Sequence, residues 1–150
     1  MSRGSLPRRA VSNAVFSPEG GPALLFEEYP VLNGQKIRFE FEETNSQWRQ
    51  GVFLATHGLI KIRGSVSPSF VVWTDTAPHV FDVEIVESTG SLVFYNVWDS
   101  GRGLGHFESQ KHTSGMVRED LPSGDHRYRC NDIGQDPIFD KLIFHVSMLT

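Results

Sequence analysis

The chain lacks most of the features that announce a function. Cys130 is its only cysteine, so an intrachain disulfide is impossible. That fits a reducing compartment, and a lone cysteine without a pKa-lowering neighbourhood reads as a small core residue rather than a nucleophile. No apolar run approaches the roughly 20 residues that span a bilayer as a helix. The first residues, MSRGSLPRRAVSNAVF, carry arginines but no apolar segment of the kind a secretory signal needs. We therefore expect a soluble, cytoplasmic protein with no membrane partner. A basic excess is missing too: 14 Lys and Arg stand against 18 Asp and Glu, for a formal charge of −4. The electrostatic footprint of a nucleic-acid binder is absent, so no nucleic-acid partner is expected. No stretch has the 3.6-residue periodicity of an amphipathic helix. There is no G-x-S-x-G elbow and no phosphate loop, and no histidine or aspartate spacing matches a zinc finger or an EF-hand. No metal and no cofactor are expected.

What is present is strand-like. The 150 residues include eleven phenylalanines and three tryptophans, and a chain of this length buries about 70% of its unfolded surface without a staple. Residues 1–22 are rich in glycine, proline and arginine and read as a flexible, weakly basic arm, with 23–150 as one β domain. Alternation marks Ile37, Phe39 and Phe41 as one buried strand face, and Leu142, Phe144, Val146 and Met148 as another. Glycine-containing pairs between such runs predict hairpins at Asn33-Gly34, at His57-Gly58 and at Ser88-Thr89-Gly90. The last would pair 80–87 with 91–98. The whole predicts about eight to ten short strands, arranged as an antiparallel β-sandwich of jelly-roll type, with a β-barrel as the alternative.

The chain is organised around residues 91–108, SLVFYNVWDSGRGLGHFE. Leu92, Phe94, Asn96 and Trp98 share one strand face, and both faces are largely apolar, which predicts a central strand. The strand then runs into a glycine-rich loop. Trp98, Asp99, Arg102 and His106 are the candidate ligand-binding residues. An indole offers a stacking surface, a carboxylate accepts hydrogen bonds, and a guanidinium donates several in a fixed fork. The plain alternative is a structural turn in which Trp98 caps the core and Asp99 pairs with Arg102. Other groupings read more simply as structure. His106, His112 and His126 lack metal-ligand spacing. Asp132, Asp136 and Asp140 are turn formers before they are calcium ligands. Arg127-Tyr128-Arg129 is surrounded by acids and reads as a solvated strand face.

These observations point to a non-catalytic binding module. It would recognise a protein partner or a polar ligand, carbohydrate among them, through the 98–112 region. Two other classes stay open: a self-assembling structural β-sandwich with a basic N-terminal arm, which would be a homo-oligomer, and a small β-fold hydrolase or isomerase. No catalytic residue can be named.

Overall fold

A computed structural model describes residues 9–12, 23–101, 107–109, 114–132 and 139–149. These form nine strands: β1 (Arg9–Ser12), β2 (Leu24–Pro30), β3 (Lys36–Thr44), β4 (Arg49–Ile62), β5 (Ser65–Trp73), β6 (Val80–Asp99), β7 (Gly115–Asp120), β8 (His126–Asn131) and β9 (Leu142–Met148). The all-β class stands. Of the arm expected over 1–22, β1 lies among the described residues, paired antiparallel to β2. Among the described residues no helix is long and apolar enough to cross a membrane.

The architecture follows from β6, which is 20 residues long. Its first part, Val80–Glu84, pairs with β3, and its later part, Ser91–Phe94, pairs with β2. From there β2 leads to β7, β7 to β8, β8 to β9, and β9 back to β3. The ring β2-β7-β8-β9-β3-β6 is a closed six-stranded antiparallel barrel. β4 pairs with β6 outside the ring and β5 with β4, while β1 adds to β2. The barrel, rather than the preferred sandwich, describes this topology; the sandwich agrees only in that apolar strand faces meet across a core. Closure also removes most of the free edges that an open sheet would expose. β5 remains at an edge, and Pro68 within it withholds a backbone donor there.

Three expected hairpins are corrected. Residues 80–99 do not fold back at Ser88-Thr89-Gly90 but continue as one strand, so 80–87 and 91–98 are not partners. Likewise β4 runs straight through His57-Gly58, and its hairpin turn lies at Arg63-Gly64, where φ is +51° and +87°. Paired positive φ values at a two-residue loop suit the hand of a β-hairpin. At Asn33-Gly34 the chain kinks without returning. β2 and β3 follow one another along β6, and the link holds on through Gly34 N to Ile85 O (2.7 Å), Val31 N to Gly90 O (2.9 Å) and Ser88 N to Asn33 Oδ1 (2.9 Å).

At His57-Gly58 and Ser88-Thr89-Gly90 the physical reason is shared. Gly58 and Gly90 have φ of +148° and +142°, and the β4–β6 register slips between Thr56 and Gly58, where Gly58 faces Ser88. A Cβ on Gly58 would lie 2.1 Å from the Glu87 carbonyl oxygen. These glycines are bulges that let long strands coil around a small barrel, not turns.

Inside, alternation sorts the side chains as expected. Ile37, Phe39, Leu92, Phe94, Leu142 and Phe144 are fully buried. Phe94 is the hub: its ring meets Tyr29 at 5.2 Å, Phe39 at 5.2 Å, Tyr128 at 5.3 Å and Phe144 at 6.1 Å, all edge-on. Edge-to-face rings place the positive rim of one over the negative face of another. β6 is therefore central, as its two apolar faces predict.

Candidate functional site

The end of β6 carries the loop singled out by the sequence. Trp98 and Glu108 exchange main-chain hydrogen bonds of 3.1 and 2.8 Å, which close the base of the loop between them. The Glu108 carboxylate accepts from the Ser100 hydroxyl and, at 3.0 Å, from the Ser100 N–H. Asp99 Oδ1 accepts from Gly101 N–H at 2.8 Å, a local turn that short acidic side chains favour. Trp98 itself is fully buried. Its Nε1 meets no acceptor among the described residues. Arg102 and His106 lie outside the described residues. Of the four candidates, then, two can be placed: Trp98 anchors the loop base from inside and Asp99 shapes the turn above it.

The opposite face of the same strands is the more open surface. Side chains alternate, so Val93 and Tyr95 on β6 and Gly51, Phe53 and Ala55 on β4 point outward while Phe94, Val52 and Leu54 point in. Phe107, just before the clamp residue Glu108, lies against Phe53 at 5.7 Å, and Phe53 stacks on Tyr95 at 5.0 Å. All three are half-buried. The Tyr95 hydroxyl bonds Ser109, and burial holds its phenol above the ordinary tyrosine range. On β5, Trp73 lies across Gly51, where a Cβ would come within 2.8 Å of the ring. The Arg49 guanidinium sits 4.4 Å over that ring while its Nε donates to both Asp75 oxygens. Next to Ala55 and Val93 the face dips into a cavity of about 380 Å³, lined also by Phe26, Glu28, Thr56 and Ser91. Flat rings thus adjoin a hollow with a carboxylate and hydroxyls.

A second polar group of residues was invisible in the sequence. Glu27 is fully buried, pointing inward beside Tyr29 on β2. Its Oε1 accepts from the Tyr128 hydroxyl (2.6 Å) and from Arg118 Nη1 (3.2 Å). Tyr128 in turn meets the Tyr29 hydroxyl at 2.6 Å, and Tyr29 meets His126 Nδ1 at 2.7 Å. His126 Nε2 lies 3.4 Å from Asp120, which also takes Arg118 Nε at 3.2 Å. Burial raises the Glu27 carboxyl above its ordinary value, although the Tyr128 bond and the Arg118 charge pull the other way. Both tyrosines are pushed up by burial and stay neutral phenols. Glu27-Glu28 in LLFEEYP resembles solvent patterning. The signal that could have found the site is the period of two: Glu27 and Tyr29, Arg118 and Asp120, and His126 and Tyr128 each share a strand face.

The remaining groupings resolve as structure. Tyr128 faces the core, while Arg127 pairs with Glu42 at 2.8 Å on the outside. Asp132 accepts from Ser46 Oγ (2.7 Å) and Gln50 Nε2 (3.0 Å), and Asp140 from Asn45 Nδ2 (2.7 Å); Asp136 and His112 lie outside the described residues. Among the described residues no cluster of three or more His, Cys, Asp or Glu could hold a metal ion. Cys130 is fully buried, and burial drives its thiol well up, away from the reactive thiolate. Ser147, His145 and Asp125 meet, but Asp125 Oδ2 (2.9 Å) and Ser147 Oγ (3.5 Å) both lie on His145 Nε2. A catalytic triad needs the acid and the serine on opposite ring nitrogens.

Comparison of the chain with protein-family models, with curated protein sequences and with solved structures gives no match. The functional reading therefore rests on the geometry above.

Proposed function

We propose that the protein is a non-catalytic binding module whose 98–112 region and adjoining outer face of β4 and β6 recognise a carbohydrate. One observation carries the reading. The Trp98–Glu108 clamp fixes the loop base at the end of the longest strand, and Phe107 beside it lies on Phe53, which stacks on Tyr95, next to a hollow lined by a carboxylate and hydroxyls. Sugars present an apolar ring face with hydroxyls around it. Half-exposed aromatic rings take the first, and Glu28, Thr56 and Ser91 suit the second. A loop already closed at its base has less ordering entropy to lose on binding, and rigid scaffolds commonly carry binding loops.

The test is a soluble-glycan panel titrated against the wild type and against Tyr95→Ala and Phe107→Ala. The reading expects saturable binding to one sugar class. Each variant should bind at least about ten-fold more weakly, equivalent to ~1.4 kcal/mol. If no saccharide binds at millimolar concentration, the carbohydrate reading fails. Binding that both variants leave unchanged moves the site elsewhere.

A further inference from the structure

The buried acids, phenols and imidazole form an unbroken line from the surface to the barrel interior. It starts at Asp120, whose side chain is 67% exposed, and passes through His126, Tyr29 and Tyr128 to fully buried Glu27. Every link between His126 and Glu27 is 2.7 Å or shorter, the range of strong O–H···O and N–H···O bonds.

The donors in such a line can be oriented in two ways, and in both each phenol donates one hydrogen bond and accepts one. In the first, His126 Nδ1–H donates to Tyr29, the Tyr29 hydroxyl to Tyr128, and the Tyr128 hydroxyl to ionised Glu27. In the second, a proton on Glu27 Oε1 donates to Tyr128, Tyr128 to Tyr29, and Tyr29 to the bare Nδ1 of His126. The two hold the same number of protons and differ in where one of them sits. It leaves Nδ1 at one end, each phenol passes on its own proton and receives another, and a proton arrives on the carboxylate. No bond between heavy atoms changes. A proton on the other carboxylate oxygen would meet no acceptor among the described residues, since Glu27 Oε2 is buried without a hydrogen-bond partner.

We propose that this line is a built-in pH-sensitive switch: Glu27 and His126 share one proton through the hydroxyls of Tyr128 and Tyr29, and the pair releases that proton to solvent in one step as pH rises. Among the described residues the groups facing Glu27 are few. β7 supplies Arg118 and Asp120, β8 supplies His126 and Tyr128, and its own strand supplies Tyr29. β6 sets Phe94 opposite it in register, and β1 sets Ala10, neither ionisable. Burial favours the neutral acid, and Arg118 favours the anion. The balance is set by a side chain that also reaches the surface. When Glu27 takes the proton, Arg118 loses its buried anionic partner and Asp120 becomes its remaining one. The switch therefore reads out as a rearranged Arg118–Asp120 pair at the barrel surface. Interacting groups of this kind titrate as a pair and not as separate residues.

The experiment follows the Glu27 carboxyl carbon and both His126 ring nitrogens by NMR across pH in the full chain. The proposal expects one common midpoint for the two residues in the wild type. It also expects a His126 midpoint displaced by about one pH unit or more in Glu27→Gln, a ten-fold change in proton affinity. Tyr128→Phe removes the hydroxyl through which the phenol line reaches Glu27, and should split the common step into two. Separate midpoints in the wild type, or an unmoved His126 in Glu27→Gln, would overturn it. A common step that survives in folded Tyr128→Phe would also overturn it, because coupling would then be through space. If Tyr128→Phe does not fold, the wild-type and Glu27→Gln titrations still decide.

Discussion

Replacing Gly58 by alanine separates a bulged barrel strand from a hairpin tip. At a solvent-exposed tip the substitution would cost only the strain of positive φ. Gly64 supplies that reference inside the same molecule: it has φ +87°, and a Cβ there meets nothing within 4 Å. Gly64→Ala should cost about 1–2 kcal/mol, the penalty for an L-residue in the left-handed region. At Gly58, φ is +148° and the new Cβ would lie 2.1 Å from the Glu87 carbonyl oxygen and 3.0 Å from Ser88 Cα. Both are backbone atoms of β6, so no side chain can swing away. The strain of a region that glycine almost alone occupies costs roughly 1–3 kcal/mol. Forcing packed strands apart adds roughly 1–3 kcal/mol. The expected loss is therefore about 2–6 kcal/mol, a large part of the 5–15 kcal/mol that stabilises a typical domain. Urea unfolding followed by tryptophan fluorescence measures it. With a slope of about 2 kcal/mol per molar, the midpoint should fall by at least about 1 M for Gly58→Ala, and by less for Gly64→Ala. Equal shifts for the two variants would refute the reasoning, because β4 would then not pass so close to β6 at residue 58.

Other perturbations follow from the same structure. Phe94→Ala removes the hub of the aromatic core and should cost about 3–5 kcal/mol in the same assay; a loss under ~1 kcal/mol would place that ring outside the packed interior. Glu27 has its folded pKa raised above the ordinary glutamate value of about 4.3. Its contribution to stability is thus fully present below that value and is lost as pH rises through the folded pKa. Glu27→Gln should remove this loss, so thermal midpoints of variant and wild type should draw together or cross as pH rises. A constant difference across pH 4–8 would contradict the raised value. Asp82 runs the other way. The Arg38 hydrogen bond holds its carboxyl below the usual range, so its stabilisation is present above the ordinary aspartate value and is lost as pH falls through the lowered one. Arg102→Ala should weaken ligand binding while changing stability by less than about 0.5 kcal/mol if its role is in the ligand site. A loss of roughly 2 kcal/mol or more would make Arg102 a structural residue.

The strand faces were legible because alternation is local. Ile37, Phe39 and Phe41 on β3, and Leu142, Phe144 and Val146 on β9, are buried as their spacing predicts. What each strand pairs with was not legible. Glycine at positive φ serves a tight turn or a bulge equally well, and only long-range pairing decides between them. Hence Asn33-Gly34, His57-Gly58 and Ser88-Thr89-Gly90 read as hairpins, while the actual two-residue turn, Arg63-Gly64, has a first residue that seldom announces one. The length of β6 was lost in the same way, and with it the reason the barrel closes. At the candidate site, the sequence located the loop but left its tryptophan open between a ligand-stacking surface and a cap on the core. Trp98 shares a face with Phe94, so it follows Phe94 inward, and the outward rings are its neighbours Tyr95, Phe53 and Phe107. Glu27 was hidden because two adjacent glutamates look alike until the register of β2 is known.

The central claim is that the outer face beside the 98–112 loop is a carbohydrate-binding surface. Backbone amide shifts recorded while the wild type is titrated with a soluble-glycan panel test it most directly. The account predicts that one sugar class perturbs Phe53, Tyr95, Phe107 and Glu108 and their strand neighbours, with the Tyr29–Tyr128 region unmoved. Perturbations confined to β7 and β8, or none for any sugar at millimolar concentration, would contradict it.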